Sequence, residues 1–184
     1  MNSLKKWGLL LVAAILVNTS FAQEKTVEVG GAPMYPSKNI VENAINSKDH
    51  TTLVAAVKAA GLVETLESAG PFTVFAPTNE AFDKLPKGTV DMLVKPENKA
   101  KLTGILTYHV VSGRLDSKEL ARLIKEGNGT AELTTVQGGK LWVMMKGKKI
   151  VLKDEAGNMA DVTIRDIYQS NGVIHVIDAV VMHK

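Results

Sequence analysis

Four histidines, His50, His109, His175 and His183, are the side chains best suited to proton transfer or metal binding near neutral pH. None sits in an HxxxH pair or at a recognisable ligand spacing from a carboxylate. His109 and His175 could meet in space. The alternation of the last strand puts His175 on one face with Val173, Ile177, Ala179 and Val181, where a hydrogen-bonded core histidine is expected. His109 follows the apolar face of a helix and precedes Val110-Val111, and the same expectation applies. His183, beside the last residue, is expected to be disordered or exposed.

Nucleophile chemistry has no scaffold here. No GxSxG elbow occurs, and Ser112-Gly113 near His109 lacks a visible orienting acid or oxyanion hole. Asp154-Glu155 and Asp178 lie in turn or strand contexts and are expected to be solvated. Gly30-Gly31 and Gly138-Gly139 lack the spacing and lysine of a phosphate loop. Trp142 and Tyr168 could stack on a sugar or another ligand, but ordinary sheet packing is the expectation for both. Asn128-Gly129-Thr130 matches a glycosylation sequon, relevant only in a eukaryotic secretory route. No cofactor and no metal site are expected.

The elements that must position these residues fall into a helical half and a stranded half. Residues 23–36, with Gly30-Gly31, Pro33 and Pro36, read as an extended N-terminal arm without a periodic apolar face. Asp49 is a candidate N-cap for a helix carrying Leu53, Val54 and Val57, with Gly61 as its C-cap, and Leu62, Val63 and Leu66 continue the pattern. Phe72 to Ala76 is β-prone. Thr78 can cap a helix bearing Ala81, Phe82 and Leu85. Lys99 to Thr107 places Leu102, Ile105 and Leu106 on one face, and Asp116 with Glu119 fits a capping box for the helix of Leu120, Leu123 and Ile124. After Thr130 the period becomes two. Gly138-Gly139, Gly147, Ala156-Gly157-Asn158 and Asn171-Gly172 separate short strands, which predicts a predominantly antiparallel sheet and an α+β fold.

The chain has 184 residues, 22 Lys+Arg against 19 Asp+Glu, a net charge of +3 and no cysteine. Disulfides, thiolate metal sites and a cysteine nucleophile are thereby excluded. Lys5-Lys6, the apolar run Trp7 to Val17, and Ser20-Phe21-Ala22 before Gln23 have the layout of a secretory signal peptide over residues 1–22, cleaved between Ala22 and Gln23. Eleven helical residues rise only about 16 Å, too short for a hydrocarbon core of about 30 Å. Removing that segment takes two lysines and no acid, so the mature chain would carry a net +1 over 162 residues. Nucleic-acid binding, which needs clustered cations, loses its support. Lys146, Lys148 and Lys149 read as solvated turn lysines.

Three motifs then carry a family resemblance. Gly70-Pro-Phe-Thr-Val-Phe-Ala-Pro-Thr-Asn-Glu-Ala-Phe82 resembles the first signature of fasciclin domains, including Thr73, Phe75, Pro77, Thr78, Asn79 and Phe82. Tyr108-His109-Val110-Val111 resembles that family's tyrosine–histidine motif, and Asn171-Gly172-Val-Ile-His175-Val-Ile-Asp178 its second signature. Their order and separation cover Tyr35 to Met182, placing a single fasciclin-like domain over 37–184. The resemblance implies a wedge-like β-sandwich with short helices packed against it. It also implies extracellular adhesion or matrix interaction, with the tyrosine–histidine region implicated in partner contact in some animal members. That role carries over to Tyr108 and His109 as candidate partner-binding residues.

The signatures also have a purely physical reading. The first places Phe72, Val74 and Ala76 on one strand face and Thr73 and Phe75 on the other, with Pro77-Thr78 forming a strand-to-helix corner. Asn171-Gly172 would supply a positive φ at a hairpin turn. Tyr108-His109 could either anchor a core or face a partner. The leading expectation is a non-enzymatic, monomeric, secreted or periplasmic module that binds a protein or surface glycan, without a transmembrane anchor. A carrier or sensor of a small apolar ligand between sheet and helices is the alternative, and a hydrolase using His109 or His175 is the third reading.

Overall fold

The computed structural model describes residues 25–184; the expected signal peptide and its Ala22–Gln23 cleavage point lie outside the described residues. The chain opens with a hairpin of β1 (Val27–Val29) and β2 (Ala32–Met34), turning at Gly30 and Gly31, both at positive φ. The stretch read as an arm is therefore extended, but as two paired strands whose Val29, Ala32 and Met34 are buried. The three alternate along so short a segment that no period shows.

Helices follow: α1 (Ile40–Ala44), α2 (Thr51–Ala60) and α3 (Val63–Glu67). Asn39 caps α1 in a full capping box with Glu42. Asp49 caps nothing; it sits inside a 3₁₀ turn, Lys48–His50, that leads into α2. Gly61 closes α2 in the left-handed conformation at φ 71°. Next come β3 (Phe72–Pro77), α4 (Asn79–Asp83), α5 (Thr89–Leu93) and α6 (Lys99–Tyr108). Then follow β4 (Val110–Ser112) and α7 (Ser117–Glu126). Asp116 accepts from the Lys118 and Glu119 amides, but only half the expected capping box forms, because the Glu119 carboxylate turns to Arg122 instead.

The second half is β5 (Thr130–Thr134), β6 (Lys140–Lys146), β7 (Lys149–Lys153), β8 (Met159–Gln169) and β9 (Gly172–Ile177). Together with β3 and β4 these form one seven-stranded sheet in the order β4-β3-β9-β8-β7-β6-β5. Every neighbouring pair is antiparallel except β3 and β9, which run parallel with Phe72 opposite Gly172 and Pro77 opposite Ile177. The fold is α+β, and the two halves of the expected sandwich are one continuous sheet that bends at β8. Two register shifts in β8, with Asp166 at φ 60°, make that bend. The edges almost meet: Val111 bridges Thr135, and the Val136 amide donates to Val110 O at 2.8 Å.

Alternation along β3 divides the core in two. Val74 and Ala76 face a layer with Leu53, Val57, Leu102, Ile105 and Leu106 from α2 and α6. Phe75 faces the inside of the curled sheet with Leu141, Val143, Leu152 and Ile177, which α7 plugs with Leu120 and Ile124. Strand β9 ends at Ile177, earlier than its apolar pattern suggests; residues 178–184 run on outside the ladder but keep Val180 and Val181 buried.

Candidate functional site

Tyr108 and His109 close α6, where the chain leaves the helix for β4. Tyr108 is 0% exposed and His109 3%, so neither ring offers a face to a partner, and direct contact through them is not what their geometry provides. The Tyr108 hydroxyl donates to Lys140 O and accepts the Glu155 amide at 3.3 Å, joining α6 to the start of β6 and to the turn after β7. Burial pushes its phenol up to about 12; the hydrogen bond from the Glu155 amide opposes the rise, and the negative charges of Glu155 and Asp154 add to it.

His109 Nδ1 lies 2.8 Å from Ile105 O, and its Nε2 accepts the Val181 amide at 3.2 Å. Those partners require the neutral Nδ1–H tautomer. Burial drives its pKa down to about 4, and the Ile105 carbonyl and Asp154 only partly offset that. Both ring nitrogens are committed to backbone, which leaves none to take a substrate proton.

Three further residues complete this knot without having been singled out as such. Asp154 is buried, contrary to the expectation of a solvated turn carboxylate. It accepts the Asn158 amide at 2.7 Å, the Asn158 side-chain amide at 3.0 Å and the Met182 amide at 2.9 Å. Glu155 accepts the Lys140 and Lys184 amides at 2.7 and 3.2 Å. His183, expected free, is half-buried with its ring 5.9 Å from that of Tyr108. The Asp154-x-x-Gly157-Asn158 turn pattern was the available signal for Asp154, since an Asp that accepts amides within its own turn is a local motif.

The other signature residues are likewise structural joints. Thr73 Oγ1 donates to Gly113 O and accepts the Leu115 amide, each at 2.8 Å. Phe75 stacks on His175 with centroids 5.7 Å apart. Pro77 ends β3, Thr78 caps α4 through the Ala81 amide, and Phe82 of α4 is buried. Asn79 accepts from the Thr52 amide and the Thr51 hydroxyl and donates to Lys48 O at 2.8 Å, which fixes the start of α2. Asp178 accepts the Asp161 amide at 2.8 Å and pairs with Lys84.

Asn171 accepts the Ile40 amide at 3.0 Å and donates to Leu66 O and Ser68 O, pinning α1 and α3 to the sheet. Neither Asn171 nor Gly172 has a positive φ, which corrects the turn expectation. Glycine is needed at 172 because a Cβ there would lie 2.2 Å from Phe72 O.

His175 is fully buried. Its Nδ1 accepts the Asp166 amide at the β8 bulge at 3.4 Å, which leaves Nε2–H to donate to Leu115 O at 2.8 Å, the opposite tautomer to His109. The two histidines lie in separate hydrogen-bond systems rather than in one site. Among the described residues no three His, Asp or Glu side chains gather to hold a metal ion, and no helix is long and apolar enough to cross a membrane.

Comparison with known proteins agrees with this architecture. The fasciclin-domain profile matches residues 48–183. Protein sll1483 of Synechocystis is 45% identical over 159 residues, covering 86% of this chain and 81% of its own. Immunogenic protein MPB70 of Mycobacterium bovis is 39% identical over 144 residues, covering 76% and 66%. The transforming growth factor-beta-induced protein ig-h3 of Sus scrofa is 41% identical over 128 residues, 70% of this chain but 17% of that longer one. A FAS1 domain pair from the insect cell adhesion molecule Fasciclin I has the same fold, with a TM-score of 0.55 at 24% identity over 71% of this chain and 43% of that one. The chain belongs to the fasciclin-domain family.

Proposed function

We propose that this protein is an exported, non-enzymatic interaction module that binds a protein or surface glycan at the cell envelope or outside the cell. The observation that carries the reading is the commitment of the chemically capable side chains to internal bonds. Both ring nitrogens of His109 and of His175 are bonded within the fold, and Tyr108, Asp154 and Asn171 are likewise occupied. What remains for function is surface. The relative of known fold is named as a cell adhesion molecule, which is consistent with that.

The surface most directly held by the tyrosine–histidine corner is the turn after β5. The Val136 amide donates to Val110 O and the Gln137 amide to Thr107 O, so the corner presents a fixed loop on which Val136 is 45% exposed. Tyr108 and His109 would then serve partner binding by shaping this loop rather than by touching the partner. The test is adhesion of cells and of extracted surface polymers to immobilised mature protein. The double substitution Val136→Asp, Gln137→Ala should lower retention with the melting temperature unchanged. Equal retention by the folded variant would remove this loop from the proposal, and turnover abolished by His109→Ala in a folded protein would replace the reading with an enzymatic one.

A further inference from the structure

The layer between the helices and β3 is not filled. Ile40, Ala44, Leu53, Val57, Leu62 and Val74 border a partly open apolar void of about 70 Å³ that reaches inward to His109. A second void of about 30 Å³ lies against the same Ile40, Ala44, Leu53 and Val74. The first offers water almost nothing to bind. The Thr107 hydroxyl is spent on Thr103 O at 2.7 Å, and both His109 nitrogens are bonded to backbone. A buried water needs two to four polar partners, so such a space is dry or holds an apolar group.

Size and charge narrow the occupant. One water-sized group needs about 10–15 Å³ of such space, so the larger void takes about five to seven, an alkyl chain of about that many carbons. Lys58 is the one ammonium on its border; it is exposed on α2, and among the described residues its side chain has no ion pair. We propose that this void is a binding site for an unbranched medium-chain carboxylate, with the alkyl chain between α1, α2, α3 and β3 and the carboxylate at Lys58. Val136 also borders this pocket, so the site adjoins the loop at Val136–Gln137 and would make the module a carrier or sensor as well as a binder.

Calorimetric titration of the mature chain with octanoate, its branched isomer 2-propylpentanoate and octanol tests it. Octanoate should bind saturably and raise the melting temperature, while the branched isomer should not. Lys58→Glu should weaken octanoate about fivefold at low salt and leave octanol unchanged. Ala44→Phe should abolish both by filling the void. Should Ala44→Phe fail to fold, the isomer comparison and the exposed Lys58→Glu variant decide alone. No saturable octanoate binding, equal binding of the branched isomer, or octanoate binding untouched by Lys58→Glu each overturns the proposal.

Discussion

His109 Nε2 accepts the backbone N–H of Val181 at 3.2 Å, joining the end of α6 to the chain's last residues across 72 positions. Because Nδ1 simultaneously holds Ile105 O, the ring is a two-ended strut between a helix and a segment that has left the sheet. His109→Ala would leave a buried amide and a buried carbonyl without partners and open a cavity. Each orphaned group costs about 1–3 kcal/mol, so a loss of roughly 3 kcal/mol is expected in urea unfolding. Tyr108→Phe, which removes only the hydroxyl, should cost about 1–2 kcal/mol. A His109→Ala chain with wild-type stability would show that the strut carries no load.

Acid should weaken the fold through buried imidazoles. Burial lowers the pKa of His50, His109 and His175, that of His109 to about 4. A histidine whose folded pKa lies below the unfolded value near 6.5 stabilises the fold fully above that value. The contribution is lost as pH falls from about 6.5 towards the folded pKa, because the unfolded chain takes up the proton first. His109 alone accounts for roughly 3 kcal/mol across that window. Urea midpoints measured from pH 7.5 to 4.5 should be level at the upper end and fall steeply below pH about 6.5, less steeply in His109→Gln. A level profile down to pH 5 would contradict the buried, neutral assignment.

Gly172 tests why a glycine stands where a hairpin turns into a central strand. Its Cβ would lie 2.2 Å from Phe72 O in the parallel β3–β9 ladder, so Gly172→Ala must push these two strands apart. A loss of about 3 kcal/mol or more is expected, in the range of severe overpacking. Gly138 has a positive φ but open space around its Cα, so Gly138→Ala meets backbone strain alone and should cost about 1 kcal/mol. Equal costs in thermal unfolding would mean that backbone conformation, not close approach, selects glycine at 172.

The contrast between those glycines shows what was legible in the sequence. Turn chemistry and apolar period reveal local events: Thr78 as a cap, Gly61 as a helix stop, and the strands from Thr130 onward all follow from near neighbours. The Gly172 requirement is set by Phe72, a hundred residues away in sequence, and no local pattern encodes it. Asp154 is divided between the two cases: its bonds to Asn158 follow from the turn pattern, while its partner Met182 comes from 28 residues further on and no local pattern encodes it. The bulge at Asp166 breaks the two-residue period of β8 after Arg165, so no local pattern shows that the strand runs on to Gln169. At the tyrosine–histidine corner, residue types showed that something was anchored there; only the geometry shows that the anchored object is the chain's own backbone.

The N-terminal hairpin provides the last test. The fasciclin profile begins at residue 48, yet β1 and β2 place Val29 and Met34 in the same apolar layer as Ile40, Ala76, Ile174 and Val176. Fully burying a side chain of that kind is worth about 1.5–3 kcal/mol, so the pair contributes about 3–6 kcal/mol before the cost of ordering the hairpin. The hairpin is also tied down by backbone bonding, since the Lys48 amide donates to Gly30 O at 3.2 Å at the entry to the 3₁₀ turn. A chain starting at Ser37 should therefore unfold at markedly lower urea than one starting at Gln23. Val29→Asp in the longer chain should reproduce most of that loss. If the shorter chain matched the longer one in urea midpoint, the hairpin would be an accessory to the domain rather than part of its core.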